Sequence, residues 1–146
     1  MPIRLDTYDA CSFCRYLAHQ DPCAFVVEDD LVAAFVNRAQ FERGAMLVIP
    51  RRHRETILDI DDAELAAAAQ LAKRLVRAAV SSLAAISANV YQNNGVKSGQ
   101  HIPHYHVHVV PRYDSSDPAR LFEAHDFAIT PIAEQLEIAA AIRAGL

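Results

Sequence analysis

Residues 104–110 read His-Tyr-His-Val-His-Val-Val, with an imidazole at every second position of an apolar run. Successive side chains of a β-strand point to opposite faces. The run therefore predicts a strand over His104 to Val110, with His104, His106 and His108 on one face. Tyr105, Val107 and Val109 take the other face. Imidazole is both a nucleophile and a metal ligand near neutral pH, so this segment is where chemistry is expected.

The rest of the chain supplies partners for that strand. Ala24–Val27 and Leu31–Val36 are short apolar runs around Glu28-Asp29-Asp30, which reads as a tight hairpin. Met46–Ile49 is a third strand ended by Pro50, and Asn89–Gln92 a fourth. Asn93–Pro103 contains Gly95 and Gly99 and reads as a loop, making strands four and five antiparallel if it closes a hairpin. Cys11–His19 reads as a short helix or turn. Asp61–Ala85 has helical apolar spacing (Leu65, Ala68, Leu71, Leu75, Val76, Ala79, Leu83), and Asp61 with Glu64 forms a capping box. Thr130-Pro131 opens a last helix, with Thr130 as its N-cap. Hairpins plus one long helix imply an α+β fold with a five-stranded antiparallel sheet and a C-terminal helix.

Composition narrows the setting. With 146 residues and no linker or repeat, 1–146 is expected to be one domain. A net charge of −4 argues against a large nucleic-acid surface. Lys73, Arg74 and Arg77 interrupt the alanine-rich stretch, so no membrane span is expected. The polar start gives no sign of a signal peptide, and three cysteines make no complete disulfide framework. A reducing cytoplasm is the expected location, with Cys23 as a core thiol. Arg51, Arg52 and Arg54 surround His53, and either a solvated turn or a phosphate-facing patch accounts for them. His19 and His125 match no pattern and are expected at the surface.

The histidine run has three candidate uses: a metal site, a nucleophile with phosphate contacts, or a structural face. Its surroundings resemble the histidine triad (HIT) family, whose motif is His-φ-His-φ-His-φ-φ with φ apolar. Asn93-Asn94-Gly95, Ser98-Gly99-Gln100 and Pro111-Arg112 match its flanks. Phe35-Val36-Asn37-Arg38, Leu47-Val48-Ile49-Pro50 and Cys11-Ser12-Phe13-Cys14 match upstream segments. The likeness covers about 11–112, leaving 113–146 as an extension without a specific signal. In this family the region after the triad often shapes the leaving-group side.

The resemblance implies a homodimer that hydrolyses or transfers nucleoside monophosphates from nucleotide conjugates. It makes the middle histidine, His106, the nucleophile, with one ring nitrogen donating to a backbone carbonyl near the motif. His108 would contact the phosphate and assist the leaving group. Asn93, the backbone around Gly99 to His101, and the Gln100 side chain would hydrogen-bond the phosphate. Asn37 would hold the ribose, and Phe13, Phe35 and Val36 would form a slot for the base, with ordinary core packing as the rival role.

Cys11, Cys14, His53 and His104 complete a closed tetrahedral zinc set, against the alternative of two free thiols. Zinc there would fix the strand start and leave His106 and His108 for phosphate. Two departures stand out. Ala45 occupies a position where many HIT members carry a histidine, and His101 stands where a small hydroxyl residue is common. The first leaves open a non-catalytic nucleotide-binding or signalling module. A metal-dependent hydrolase using the triad as ligands is a third reading.

Overall fold

The computed structural model of the chain describes residues 2–120 and 128–146. His125 lies outside them. The elements run α1 (Ser12–Leu17), β1 (Phe25–Glu28), β2 (Val32–Val36), β3 (Met46–Pro50), α2 (Asp62–Leu83), β4 (Ser87–Gln92), β5 (Val107–Arg112) and α3 (Ile132–Ala144). The strands form one antiparallel sheet of five in the order β1-β2-β3-β5-β4. No helix among the described residues is long and apolar enough to cross a membrane.

The expected hairpin closes as read, because the Asp29 carboxylate accepts from the Leu31 and Val32 N–H groups. The α+β sheet is as anticipated, with one difference that bears on the site. β5 begins at Val107, so His104 and His106 precede the ladder. Alternation still holds. Tyr105, Val107 and Val109 enter the main core, and the histidines keep the opposite face.

That core lies between the sheet and two helices. Leu71, Leu75 and Ala78 of α2 and Ile138 and Ile142 of α3 pack on Val36, Met46, Val48 and Val109. Each fully buried leucine contributes roughly 1.5–3 kcal/mol by burial. On the other face, α1 covers only the first strands, where Phe13 packs with Phe35, Leu47 and Ile49.

Asp61 caps α2 as expected, its N–H donating to Glu64 Oε2 at 3.1 Å. Arg54 Nε also donates to Glu64, at 2.8 Å, and its Nη2 to Asp61, while Arg51 pairs with Glu28 at 3.7 Å. Arg54 is thus tied to the start of α2 and Arg51 to β1. The N-cap of α3 is Pro131, not Thr130. Thr130 Oγ1 instead accepts from the Gln40 N–H at 3.2 Å, so its hydroxyl is spent on another loop.

Candidate active site and metal centre

The uncovered part of the sheet face opens into a cleft of about 1060 Å³. His106, His108, His101, Asn37, Asn93, Gly99, Phe13 and Phe35 all line it.

His106 is 5% exposed, and its Nδ1 lies 2.7 Å from the His104 carbonyl oxygen. A carbonyl only accepts, so Nδ1 carries the proton and donates it. Nε2 is left with a free lone pair. Burial lowers the His106 pKa, the bond to His104 opposes that shift, and the ring is neutral at pH 7. Phe13 meets the His106 ring edge-on at 5.3 Å between centroids, which restrains its tilt.

His108 lies 4.9 Å from His106, ring centre to ring centre. Tyr91 stacks on it at 4.4 Å with planes 10° apart. Tyr91 is a site residue that motif reading missed, although the pairing Tyr91↔His108 puts both side chains on one face. Burial, then the neighbouring His106, pushes the His108 pKa down to about 3 from 6.5. The unfolded chain therefore binds its proton more readily than the folded one. The stabilising contribution is complete above pH 6.5 and is lost as pH falls from there toward 3. We expect the melting temperature to decline over that interval and to decline less steeply in His108→Asn. Equal slopes in the two proteins would discount His108 as a source.

The loop before the triad is fixed from within. Gln100, expected as a phosphate contact, is 2% exposed and turned away from the cleft. Its Oε1 accepts from the Gly95 N–H at 2.7 Å, and its Nε2 donates to the Glu55 carbonyl at 2.7 Å and that of Ile102 at 3.1 Å. It holds the loop's shape. Gly95 has φ +92° and ψ 164°, a region open essentially to glycine alone, and the Arg4 carbonyl would stand 2.9 Å from an added Cβ. His101 is exposed at the cleft wall.

Asn37 faces the cleft while its Oδ1 accepts from the Ala39 N–H at 3.0 Å. Val36 is among the residues that line the cleft, while its side chain is buried in the helix-side core. Cys23 is half-buried, packed against the smaller apolar cluster and also lining the cleft. Gln40 bridges the turn around Ala45, donating to the Asn37 carbonyl at 2.7 Å and the Ala45 carbonyl at 2.9 Å.

A second cluster adjoins the first. Cys11, Cys14, His53 and His104 each offer a ligand atom, all within 4.8 Å of one another. Cys11 Sγ is 3.3 Å and Cys14 Sγ 3.6 Å from His104 Nδ1, and Cys14 Sγ is 3.4 Å from His53 Nδ1. Tetrahedral zinc with these donors puts ligand atoms about 3.3–3.8 Å apart, a range these three separations share, so the four donors could hold the ion after a small contraction. His104 Nε2 donates to the Pro50 carbonyl at 2.9 Å, which aims Nδ1 at the cluster. Burial, with the Cys11 sulfur beside it, pushes the Cys14 thiol up to about 12, and a cation reverses that cost. Tyr8 was not legible as a participant. Its hydroxyl donates to Glu55 at 2.9 Å and lies 3.0 Å from His53 Nε2, turning His53 Nδ1 inward.

Residues 18–115 match the HIT domain family. The chain belongs to the HIT family. Protein hit of Bacillus subtilis (strain 168) is 36% identical over 107 residues, 73% of this chain and 74% of that protein. Adenosine 5'-monophosphoramidase HNT1 of Saccharomyces cerevisiae is 34% identical over 113 residues, covering 77% of this chain and 68% of that one. A zinc-bound histidine triad family protein from Mycobacterium smegmatis superposes with a TM-score of 0.79 at 28% identity, over 93% of this chain and 92% of that one. Among HIT relatives are hydrolases of nucleotide derivatives, so a nucleotide hydrolase is the general kind of protein to which this chain is similar.

Proposed function

We propose that this HIT protein cleaves nucleotide conjugates at the α-phosphate through a nucleotidyl-His106 intermediate. The observation that carries the reading is the bond from His106 Nδ1 to the His104 carbonyl at 2.7 Å. It leaves Nε2 as the free lone pair of a neutral ring on the cleft wall. Nε2 attacks the α-phosphorus, and the bond from phosphorus to the leaving group breaks. Water then attacks the same phosphorus, releases the nucleoside monophosphate and restores His106. One hard displacement becomes two easier ones.

The remaining groups bind and balance charge. His108 enters the free cleft neutral; a bound phosphate raises its proton affinity, and the protonated ring donates to the phosphate oxygens and the departing group. Asn93 and the backbone at Gly99 to His101 supply further donors, and Asn37 holds the ribose hydroxyls. Phe13 and Phe35 take the base. Phosphoramidates and dinucleoside polyphosphates are the two substrate classes, the first favoured by the likeness to a monophosphoramidase.

Cys11, Cys14, His53 and His104 hold zinc as a structural cross-link. A closed set of four has no open position for substrate, which disfavours metal-activated hydrolysis. Incubation with adenosine 5'-phosphoramidate, rapid acid quench and intact-mass measurement test the proposal. A chain heavier by one adenylyl group supports it. Tight nucleotide binding with neither product nor adduct from both substrate classes would favour the binding-module reading instead.

The protein works as a homodimer in the cytoplasm under this proposal. β4 is an edge strand, and Val80, Ile86 and Val90 near it are all at least 50% exposed. An open edge flanked by apolar side chains is a pairing surface. Sedimentation should give about twice the 16.1 kDa chain mass, and Val90→Lys should shift it to monomer.

A further inference from the structure

The cleft has a wall that the HIT match does not include. Ile129, Thr130 and Ile132 line it with His106 and His108, yet they lie beyond residues 18–115. Their position is set by hydrogen bonds. The Thr130 N–H donates to the Arg38 carbonyl at 2.8 Å, its Oγ1 accepts from the Gln40 N–H at 3.2 Å, and its carbonyl accepts from Gln135 Nε2 at 2.7 Å. Arg38 follows Asn37, so the segment is bolted to the ribose end of the cleft.

Two apolar side chains held beside that end have no cover among the described residues. Ile129 is 64% and Ile132 40% exposed, although both belong to the lining of a cleft that also holds Phe35. A fixed backbone presenting bare branched side chains in a cleft is preorganised for a flat apolar ligand surface. The phosphate end is polar and built from imidazoles and loop amides, so the matching ligand part is the base.

Resting on the nucleotide reading above, we infer that Ile129 and Ile132 form the outer wall of the base slot and select two-ring over one-ring bases. A purine has more apolar face to bury against two isoleucines than a pyrimidine has. The wall acts on binding, since isoleucine carries no group for proton or phosphoryl transfer and His106 is oriented by the His104 carbonyl.

The test is calorimetric titration of the full-length chain with AMP, CMP and ribose 5-phosphate. Ile129→Ala/Ile132→Ala is expected to weaken AMP about tenfold and to narrow the AMP-to-CMP ratio by a similar factor. Ribose 5-phosphate affinity should stay within about twofold, since it has no base to lose contact. Ile129→Ala alone, at the more exposed position, should give a smaller loss of the same kind. Unchanged AMP affinity in the double variant overturns the inference and leaves the nucleotide reading intact. Equal losses for AMP and ribose 5-phosphate overturn it too. Failure of the unaltered protein to bind any nucleoside monophosphate removes the nucleotide reading, and this inference with it.

Discussion

His106→Ala is expected to lower turnover of adenosine 5'-phosphoramidate by roughly 10³-fold or more, the scale of removing a covalent nucleophile. Among the described residues the ring makes one hydrogen bond, from Nδ1 to the His104 carbonyl, so the substitution withdraws a donor from that oxygen. The cleft around Asn37, Asn93 and His108 persists, so nucleotide affinity should change little. The adenylyl adduct seen by intact mass should disappear with the activity. His106→Asn is a stricter companion, since it can still hydrogen-bond but cannot attack phosphorus as imidazole does. Near-normal turnover in either variant would exclude a nucleotidyl-His106 path.

The second large effect is expected at the metal centre. Cys11→Ser should reduce zinc from about one ion per chain to a small fraction, read by elemental analysis of the purified protein. The melting temperature should fall on the order of 10 °C, because a structural zinc contributes its binding energy to folding. Turnover should fall as well, through geometry. His104 presents Nδ1 to the cluster and its carbonyl oxygen to His106, so one residue carries both contacts. If the site were two free thiols, Cys11→Ser would be nearly neutral in melting temperature and metal content. That outcome would remove zinc from the account.

Much of the site was legible because strand alternation is a strict local rule. Three histidines at spacing two had to share a face, and they do, although regular pairing starts only at Val107. The Cys/His cluster was legible through the family resemblance, which joined the Cys11–Cys14 spacing to His53 and His104, and the four donors do lie together. What stayed hidden depends on which way a side chain turns. Gln100 lies beside cleft residues in sequence, but its amide satisfies three backbone groups of its own loop and neighbour. Tyr8 is 45 residues from His53, and no pattern joins a tyrosine in an irregular segment to a distant imidazole. Thr130 carries a strong capping signal, overridden by a contact with Gln40 across 90 residues. Ile129 and Ile132 carry no motif, and only the path of the chain brings them to the cleft.

The strand order β1-β2-β3-β5-β4 has a consequence for how the molecule comes into being. β5 is the last of the described strands but occupies an interior place, bonded to β3 on one side and β4 on the other. Until residues 107–112 arrive, β3 and β4 have no common neighbour and each keeps an unpaired row of amides. A nascent chain leaving the ribosome therefore keeps the facing edges of β3 and β4 open until β5 emerges, and such edges invite pairing with other chains. The slow step of folding should be this late insertion, because it joins segments far apart in sequence. The same strand bears His108 and follows directly on His106, so reactive imidazoles meet their partners only when the sheet is whole.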